Sequence, residues 1–261
     1  MWTLANGSLR CRFFDSLACV YCGGPASTSD HTPPRCLLPR PFPSGVHAMT
    51  VPACARCNVE FSVDEKRAAA ILCTVSFTSV DRLAVAPGGW MYREIQTDAA
   101  LKGFIDARLG PDGMFRIDEL AVQVLRRVTA KTVVGLLFYE FGRAIPLSDI
   151  QLLGIEHTHN IDPSAFVEIN RHQGVEYAEV TASGRQLERQ VVALFGSGPP
   201  PHMPDWKVYI PEFFEYMFIR RTVGTLLTAL KLHDALTVLL ECPWPSRAGL
   251  RRGARPPRRA M

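Results

Sequence analysis

Two pairs of cysteines in this chain have the spacing of metal-binding turns. The first pair lies in Cys19-Val-Tyr-Cys22-Gly-Gly and the second in Cys54-Ala-Arg-Cys57-Asn. Each tight turn brings two thiolates together, and two such turns supply the four sulfurs of a closed, structural zinc site. A redox role would need one pair in a thioredoxin-like βαβ setting, which this sequence lacks. We therefore predict that Cys19, Cys22, Cys54 and Cys57 bind one Zn²⁺.

The remaining cysteines lack paired spacing. We expect them to be small buried residues, with Cys36 as a possible substitute ligand in the zinc site; they are Cys11, Cys36, Cys73 and Cys242.

Side chains suited to hydrolytic chemistry lie beside the cysteine pairs. The segment Ser29-Asp30-His31-Thr-Pro-Pro-Arg35 lies between the pairs, and Asn58 follows the last cysteine. A neutral imidazole serves as a general base near pH 7. Carboxylate and amide oxygens are the ligands that Mg²⁺ and Mn²⁺ prefer. Structural roles stay open as well: His31 as a turn residue, Asp30 as a turn cap, and Asn58 as a helix N-cap.

The order of these motifs resembles one bacterial branch of the zinc-containing HNH endonucleases, which have the ββα-metal fold. The matching pattern runs C-x-Y-C-G, D-H-x-P-P-R, V-P-x-C-x-x-C-N and F-S-x-D-E, and it covers Cys19 to Glu65, a minority of the chain. The resemblance implies that His31 is the general base and that Asp30 and Asn58 hold a catalytic Mg²⁺ or Mn²⁺. It also implies a nucleic-acid substrate, with DNA as the expected one.

One position departs from that pattern. The family usually has an asparagine a few residues before the second cysteine pair, where it orients the base. The corresponding residue here is His47. Histidine can orient an imidazole by hydrogen bonding, so the resemblance implies a catalytic role for His47.

The departure at His47 also leaves a second hypothesis open. The chain can be a zinc-stapled module that binds nucleic acid or protein without catalysis. Exposed arginines can contact phosphate in either case, and the candidates are Arg35, Arg40 and Arg56.

The hydrophobic pattern predicts an α+β fold. A capping-box sequence, Ser62-Val-Asp-Glu65, predicts a helix that starts there, and further helices are expected over 97–109 and 118–141. A hairpin turn is expected at Leu232-His233-Asp234. The remaining short apolar runs suit strands and are Ile150–Ile155, Val175–Thr181, Trp206–Ile210, Met217–Ile219, Val223–Leu232 and Leu236–Leu240.

Four segments follow from these patterns. Residues 1–18 have no clear pattern, residues 19–73 form the small zinc-stapled ββα-metal module, and residues 74–245 form a larger α+β domain of unassigned role. The aromatic cluster from Trp206 to Phe218 is expected to form core strands in that domain. Residues 246–261, rich in Arg and Pro, are expected to be a disordered tail.

The charge of the chain is concentrated in that tail. The formal net charge is +4, but six arginines lie in the last fifteen residues. Without those six, 23 basic residues face 25 acidic ones, so the body is not a basic nucleic-acid-binding block. We find no signal-peptide pattern and no apolar run long enough for a membrane span, so we predict a cytoplasmic protein without a membrane partner.

Overall fold

The computed structural model describes residues 18–76, 81, 84–157, 206–220 and 224–244, and the backbone of two short strands at 3–5 and 8–10. The chain divides into two compact units. The first comprises Met1–Ala68, Gln123–Asp149 and Pro245–Met261, and the second comprises Ala69–Val122 and Ile150–Trp244. Helices together with antiparallel sheets confirm the α+β class.

Two antiparallel strand pairs and the part of a long helix that ends at Ala68 belong to the first unit. Strands β1 (Thr3–Ala5) and β2 (Ser8–Arg10) pair with each other, as do β3 (Thr28–His31) and β4 (Thr50–Ala53). Helix α1 (Ala55–Val75) begins two residues after β4 ends. The order β3–β4–α1 therefore brings the Asp30-His31 end of one strand and both cysteine pairs into one compact structure.

Helix α1 begins earlier than the sequence predicted. The capping-box prediction at Ser62 is wrong, because the helix already starts at Ala55 and Ser62 donates a hydrogen bond to the carbonyl of Val59 at 2.7 Å. The N-terminus of the helix is capped instead by Cys54, whose sulfur accepts a hydrogen bond from the backbone N–H of Cys57 at 3.4 Å. A cysteine is not a usual N-cap, so the pattern rules favoured the serine further along the chain.

A second long helix, α4 (Glu119–Phe141), matches its prediction within one residue. The Asp118 carboxylate accepts from the N–H of Ala121 at 2.9 Å and so caps its start. Gly142 ends it in the left-handed conformation, with φ of 66° and its N–H bonded to the carbonyl of Phe138.

Two short helices in the described part of the second unit lie before and within the range predicted as one helix, 97–109. They are α2 (Trp90–Thr97) and α3 (Ala99–Asp106). Asp98 separates them in an extended conformation, and its carboxylate accepts from the N–H of Leu101 at 3.0 Å. The prediction over 97–109 therefore matches α3 within two residues at its start and three at its end, whereas α2 had no predicted counterpart.

A five-stranded antiparallel sheet completes the second unit, with strand order β5-β9-β8-β7-β6. The predicted strands within the described residues are confirmed, although their ends shift. Their bounds are β5 (Gln151–His157), β6 (Lys207–Ile210), β7 (Phe214–Arg220), β8 (Thr225–Leu232) and β9 (Leu236–Pro243). Predictions for Val175–Thr181 and for the tail lie outside the described residues.

The middle of this sheet forms an apolar core. Five consecutive residues of β8 are buried, so both of its faces are covered. In β7, Phe214, Tyr216 and Phe218 are all buried, which confirms that the aromatic cluster forms core strands. The predicted turn joins β8 to β9 at residues 233–235. Among the described helices, none is long and apolar enough to cross a bilayer.

Candidate metal and catalytic site

The four predicted cysteines come together in the first unit. Their sulfur atoms all lie within 4.8 Å of one another, and the sulfurs of Cys22 and Cys54 are 3.7 Å apart. A disulfide would require a sulfur separation of ~2.05 Å. Tetrahedral zinc with Zn–S bonds of ~2.3 Å places neighbouring sulfurs ~3.8 Å apart. The donor set and its spacing therefore fit zinc, whereas a disulfide does not fit.

Backbone hydrogen bonds shape the first cysteine turn. The N–H of Gly23 donates to the carbonyl of Cys19 at 2.8 Å, and the N–H of Cys19 donates to the carbonyl of Gly24 at 2.7 Å. Gly23 has a φ of +73°, a conformation that disfavours side chains. The N–H of Val20 donates to the carbonyl of Pro52, which ties this turn to strand β4. Backbone hydrogen bonds therefore hold the first cysteine pair close to the strand that leads into the second pair.

The thiols of the cluster differ in acidity. The backbone N–H of Cys57 stabilises the Cys54 thiolate and lowers the pKa of Cys54 to about 7. Burial raises the pKa of Cys57 and of Cys19. Because a metal binds the thiolate, loading this site with zinc must release protons from the buried thiols.

Cys36 does not belong to this group. Its thiol donates to the carbonyl of Glu65 at 3.4 Å, and desolvation raises its pKa to about 12. Within the described residues, the sulfurs gathered here are those of the two cysteine pairs. The substitute-ligand hypothesis for Cys36 therefore finds no support in the geometry.

Asp30, predicted as a ligand of the catalytic metal, forms an ion pair with a buried lysine. Its carboxylate Oδ2 lies 2.6 Å from Nζ of Lys131 in helix α4, and the two side chains are 7% and 1% exposed. Lys131 also binds Glu65 of helix α1. A metal ion held by Asp30 would therefore share its carboxylate with an ammonium group.

Aromatic rings line the remaining sides of Lys131. Its Nζ lies 5.5 Å from the ring centroid of Tyr21 and 5.1 Å from that of Phe61, and the two rings are 5.6 Å apart. Burial and, next, the charge of Asp30 raise the pKa of Tyr21. The ammonium is thus held by two carboxylates and two aromatic faces, with water excluded.

The predicted helix-start residues of α1 have a different role from the expected one. Asp64 and Glu65 lie within the helix rather than at its start. Arg127 of α4 donates to Asp64 at 2.7 Å and to Glu60 at 3.2 Å. Together with Lys131, one turn further along α4, it pairs the basic face of α4 with the acidic face of α1.

His31, the predicted general base, is the last residue of β3 and is half-buried. Burial and, next, the positive charge of Arg35 lower its pKa below the ordinary value of 6.5. The imidazole is therefore neutral at pH 7 and able to accept a proton. Strand alternation directs His31 to the face opposite Asp30.

The residue after His31 is anchored to helix α4. Thr32 donates a hydrogen bond through Oγ1 to the carbonyl of Thr132 at 3.1 Å. Gly135 permits this approach, because a Cβ at that position would lie 2.5 Å from Thr32 Oγ1. The backbone at His31 is thereby held against a rigid helix.

The other two predicted residues occupy different environments. Asn58 is half-buried in the first turn of α1, inside the helix, so the N-cap alternative is wrong. It precedes Phe61 by three residues and Glu65 by seven, so it lies on the helix face that carries both. His47 lies exposed in the loop before β4. The side chains of Arg35, Arg40 and Arg56 are exposed as well, with Arg56 in the first turn of α1.

Lys131 is the site residue that the sequence did not reveal. It is 66 residues from Glu65 and 101 from Asp30, beyond the reach of any local motif. One signal was available: a lone lysine within an otherwise apolar stretch of a long helix, at Val128–Leu137. Such a residue is either exposed or paired in the interior, and only the packing distinguishes the two.

Comparisons with protein-family models, with curated proteins and with solved structures found no match.

Proposed function

We propose that this chain is a metal-dependent endonuclease of the HNH type, which hydrolyses phosphodiester bonds in nucleic acid, with DNA as the first substrate to test. The observation that carries the proposal is the gathering of four sulfurs beside strands β3 and β4 and the start of helix α1. Strand β3 ends with Asp30 and His31, and Asn58 directly follows the last of the four cysteines.

The roles in this proposal follow from side-chain chemistry. His31, neutral because of burial and Arg35, accepts the proton of the attacking water. A divalent cation such as Mg²⁺ or Mn²⁺, when bound, would supply positive charge to stabilise the leaving oxygen. Asp30 and Asn58 would hold it, and Zn²⁺ on the four cysteines would have a structural role. Arg35, Arg40 and Arg56 are exposed and of the correct charge for phosphate contacts.

A plasmid-nicking assay with Mg²⁺ or Mn²⁺ tests the proposal. We expect the wild-type chain to nick DNA and His31→Ala to lose activity by ~10²–10⁴-fold, the usual contribution of a general base. His47→Asn is the matched control: it restores the amide that the resembled family usually has, so we expect activity equal to or above wild type. Zinc content and circular dichroism establish that each variant is folded.

A non-catalytic binding module is the second candidate. The Asp30–Lys131 ion pair favours it, because the pair occupies an oxygen that the catalytic metal would need. A wild-type chain that retains zinc and binds DNA, but does not nick it under any metal condition, would establish this second candidate and overturn the nuclease. Nicking that survives His31→Ala unchanged would also overturn the assigned mechanism.

A further inference from the structure

A second group of metal-ligating side chains lies in the second unit. Cys73 near the end of α1, Asp81, and His233 in the β8–β9 turn are 1%, 2% and 2% exposed. One ligand atom from each lies within 4.8 Å of the others. The group shares no residue with the four-cysteine cluster, and the sequence predicted only that Cys73 is buried.

The distances from Asp81 to the other two residues are close to the edges of a tetrahedral metal site. His233 Nδ1 lies 3.0 Å from both oxygens of Asp81, and Cys73 Sγ lies 3.6 Å from Asp81 Oδ1. With zinc bonds of ~2.0 Å to nitrogen and oxygen and ~2.3 Å to sulfur, tetrahedral geometry gives N–O edges of ~3.3 Å and S–O edges of ~3.5 Å. Small adjustments are therefore enough to place one ion between the three atoms.

The backbone at His233 is an independent observation. His233 and Asp234 both have positive φ, 53° and 49°, in a turn where glycine, asparagine and aspartate are preferred. Side chains of hairpin turns are usually exposed, yet this imidazole is buried. Histidine at such a position carries a conformational cost, which suggests that its side chain is required there.

The surroundings hold the imidazole in place. The N–H of His233 donates to the carbonyl of Phe213 at 2.9 Å, and Ser76 Oγ donates to the carbonyl of His233 at 3.2 Å. The Phe213 ring packs edge-on, with its centroid 5.0 Å from that of the imidazole. A ligand restrained in this way loses little entropy when a metal binds.

We propose that Cys73, Asp81 and His233 form a second metal site, with Zn²⁺ as the ion that suits a mixed sulfur, oxygen and nitrogen donor set. On binding, the Cys73 thiol loses its proton to solvent and Asp81 binds as a carboxylate. His233 binds through Nδ1, so the proton that lies between Nδ1 and the Asp81 carboxylate leaves, and the neutral ring carries its one proton on Nε2. Two anionic ligands balance the two positive charges of the ion, so the buried site is neutral, and water takes the fourth position.

The number of zinc ions per chain tests this inference. The full chain is purified without chelator, and its zinc content is measured by plasma mass spectrometry. We expect two equivalents in the wild type and one in both Cys73→Ala and His233→Asn. Asparagine suits the left-handed turn conformation and so preserves the hairpin. Cys242→Ala is the matched control, since it removes another buried cysteine of the same unit and should leave two equivalents.

X-ray absorption of the wild-type protein provides a test that needs no variant to fold. Two sites require a mixture of sulfur and lighter ligands around zinc, whereas the four-cysteine cluster alone gives sulfur only. A single equivalent with sulfur ligands would overturn the proposal and leave the three residues as a hydrogen-bonded network. A second equivalent that persists in both variants would overturn it too.

The outcome is separable from that of the four-cysteine site. Cys54→Ser should remove the equivalent of the first unit and leave the one assigned here. The wild type could instead bind one equivalent of zinc that Cys54→Ser retains and Cys73→Ala loses. In that case the second site stands and the first fails.

Discussion

The interiors of the two units differ in charge. A fully buried lysine lies inside the first unit, whereas the central strands of the second unit bury phenylalanine and leucine. Lys131 is balanced by the carboxylates of Asp30 and Glu65. In the central strands of the second unit, Phe214 and Leu226 are buried to a similar extent without any charge. The first interior depends on a few matched groups, whereas the central strands of the second unit depend on apolar area that any side chain of similar shape can supply.

The difference between the units reflects their local composition. Residues 19–60 are dense in cysteine, proline, glycine and histidine and poor in long apolar runs, so this segment needs a ligand cluster or ion pairs to fold. The sheet of the second unit has apolar strands that bury each other. Substitutions that remove one member of a pair should therefore be more damaging in the first unit.

The largest expected effect comes from Lys131→Met. It leaves Asp30 and Glu65 buried without their cation, and loss of one partner of a buried pair costs about 3–5 kcal/mol. We expect urea denaturation to report a loss of unfolding free energy in that range.

Lys102→Met is the matched control for this substitution. Lys102 forms an ion pair with Asp106 in helix α3, but the two side chains are 44% and 52% exposed. Such a surface pair contributes about 0–1 kcal/mol. Equal losses in the two variants would show that burial does not make the Lys131 pairs more costly to break than the exposed pair.

A smaller effect is expected from Gly135→Ala. Alanine favours a helix, but here its Cβ would lie 2.5 Å from Thr32 Oγ1 and 2.7 Å from Thr32 Cβ. Such overpacking costs about 1–3 kcal/mol, more than the gain in helix propensity. Thermal denaturation should show a lower melting temperature.

Gly103→Ala provides the comparison in the second unit. Gly103 lies in α3, and a Cβ there meets no atom within 4 Å. We expect this variant to be stabilised by about 0.5–1 kcal/mol. If both variants were stabilised, the close approach of Thr32 to α4 would be wrong.

The smallest effect concerns Asp118, which lies in the second unit. Its hydrogen bond from Arg108 and, next, that from the N–H of Ala121 hold its pKa below the usual value. Stability from a lowered acidic pKa is present above the unfolded-state pKa and is lost as pH falls through the folded-state pKa. Asp118→Asn should therefore melt below wild type at pH 7, and the gap should close as the pH falls through the folded-state pKa of Asp118.

Asp112→Asn serves as the control for that pH series. The Asp112 carboxylate accepts from the N–H of Met114 at 3.0 Å in an exposed turn, and asparagine can accept the same bond. We expect its melting temperature to follow that of wild type across the series. An Asp118→Asn gap that stays constant with pH would show that the Arg108 ion pair contributes nothing.

Local patterns in the sequence were enough for much of the framework. The paired spacing of the cysteines indicated a four-sulfur cluster, and the periodicity of residues 118–141 located α4 within one residue. The turn at Leu232-His233-Asp234 was also correct. Each of these features depends on residues close together in the chain or on a spacing that brings ligands into reach.

Other local rules misled for a physical reason. The serine and glutamate of Ser62-Val-Asp-Glu65 have the spacing of a capping box, but the helix was already under way because Cys54 caps it. Glu65 was then free to pair with a lysine from another helix. A local sequence pattern contains no information on whether Glu65 caps the helix start or pairs with Lys131 of another helix.

What the amino-acid sequence determined by itself was the group of four cysteines, the α+β class and the periodicity of the long helix. Only the tertiary structure decided that Lys131 would face Asp30 and Glu65, and that His233 would meet Cys73 and Asp81. Both groups join residues far apart in the chain. Their interactions gain strength only when packing excludes water, which no short stretch of sequence can specify.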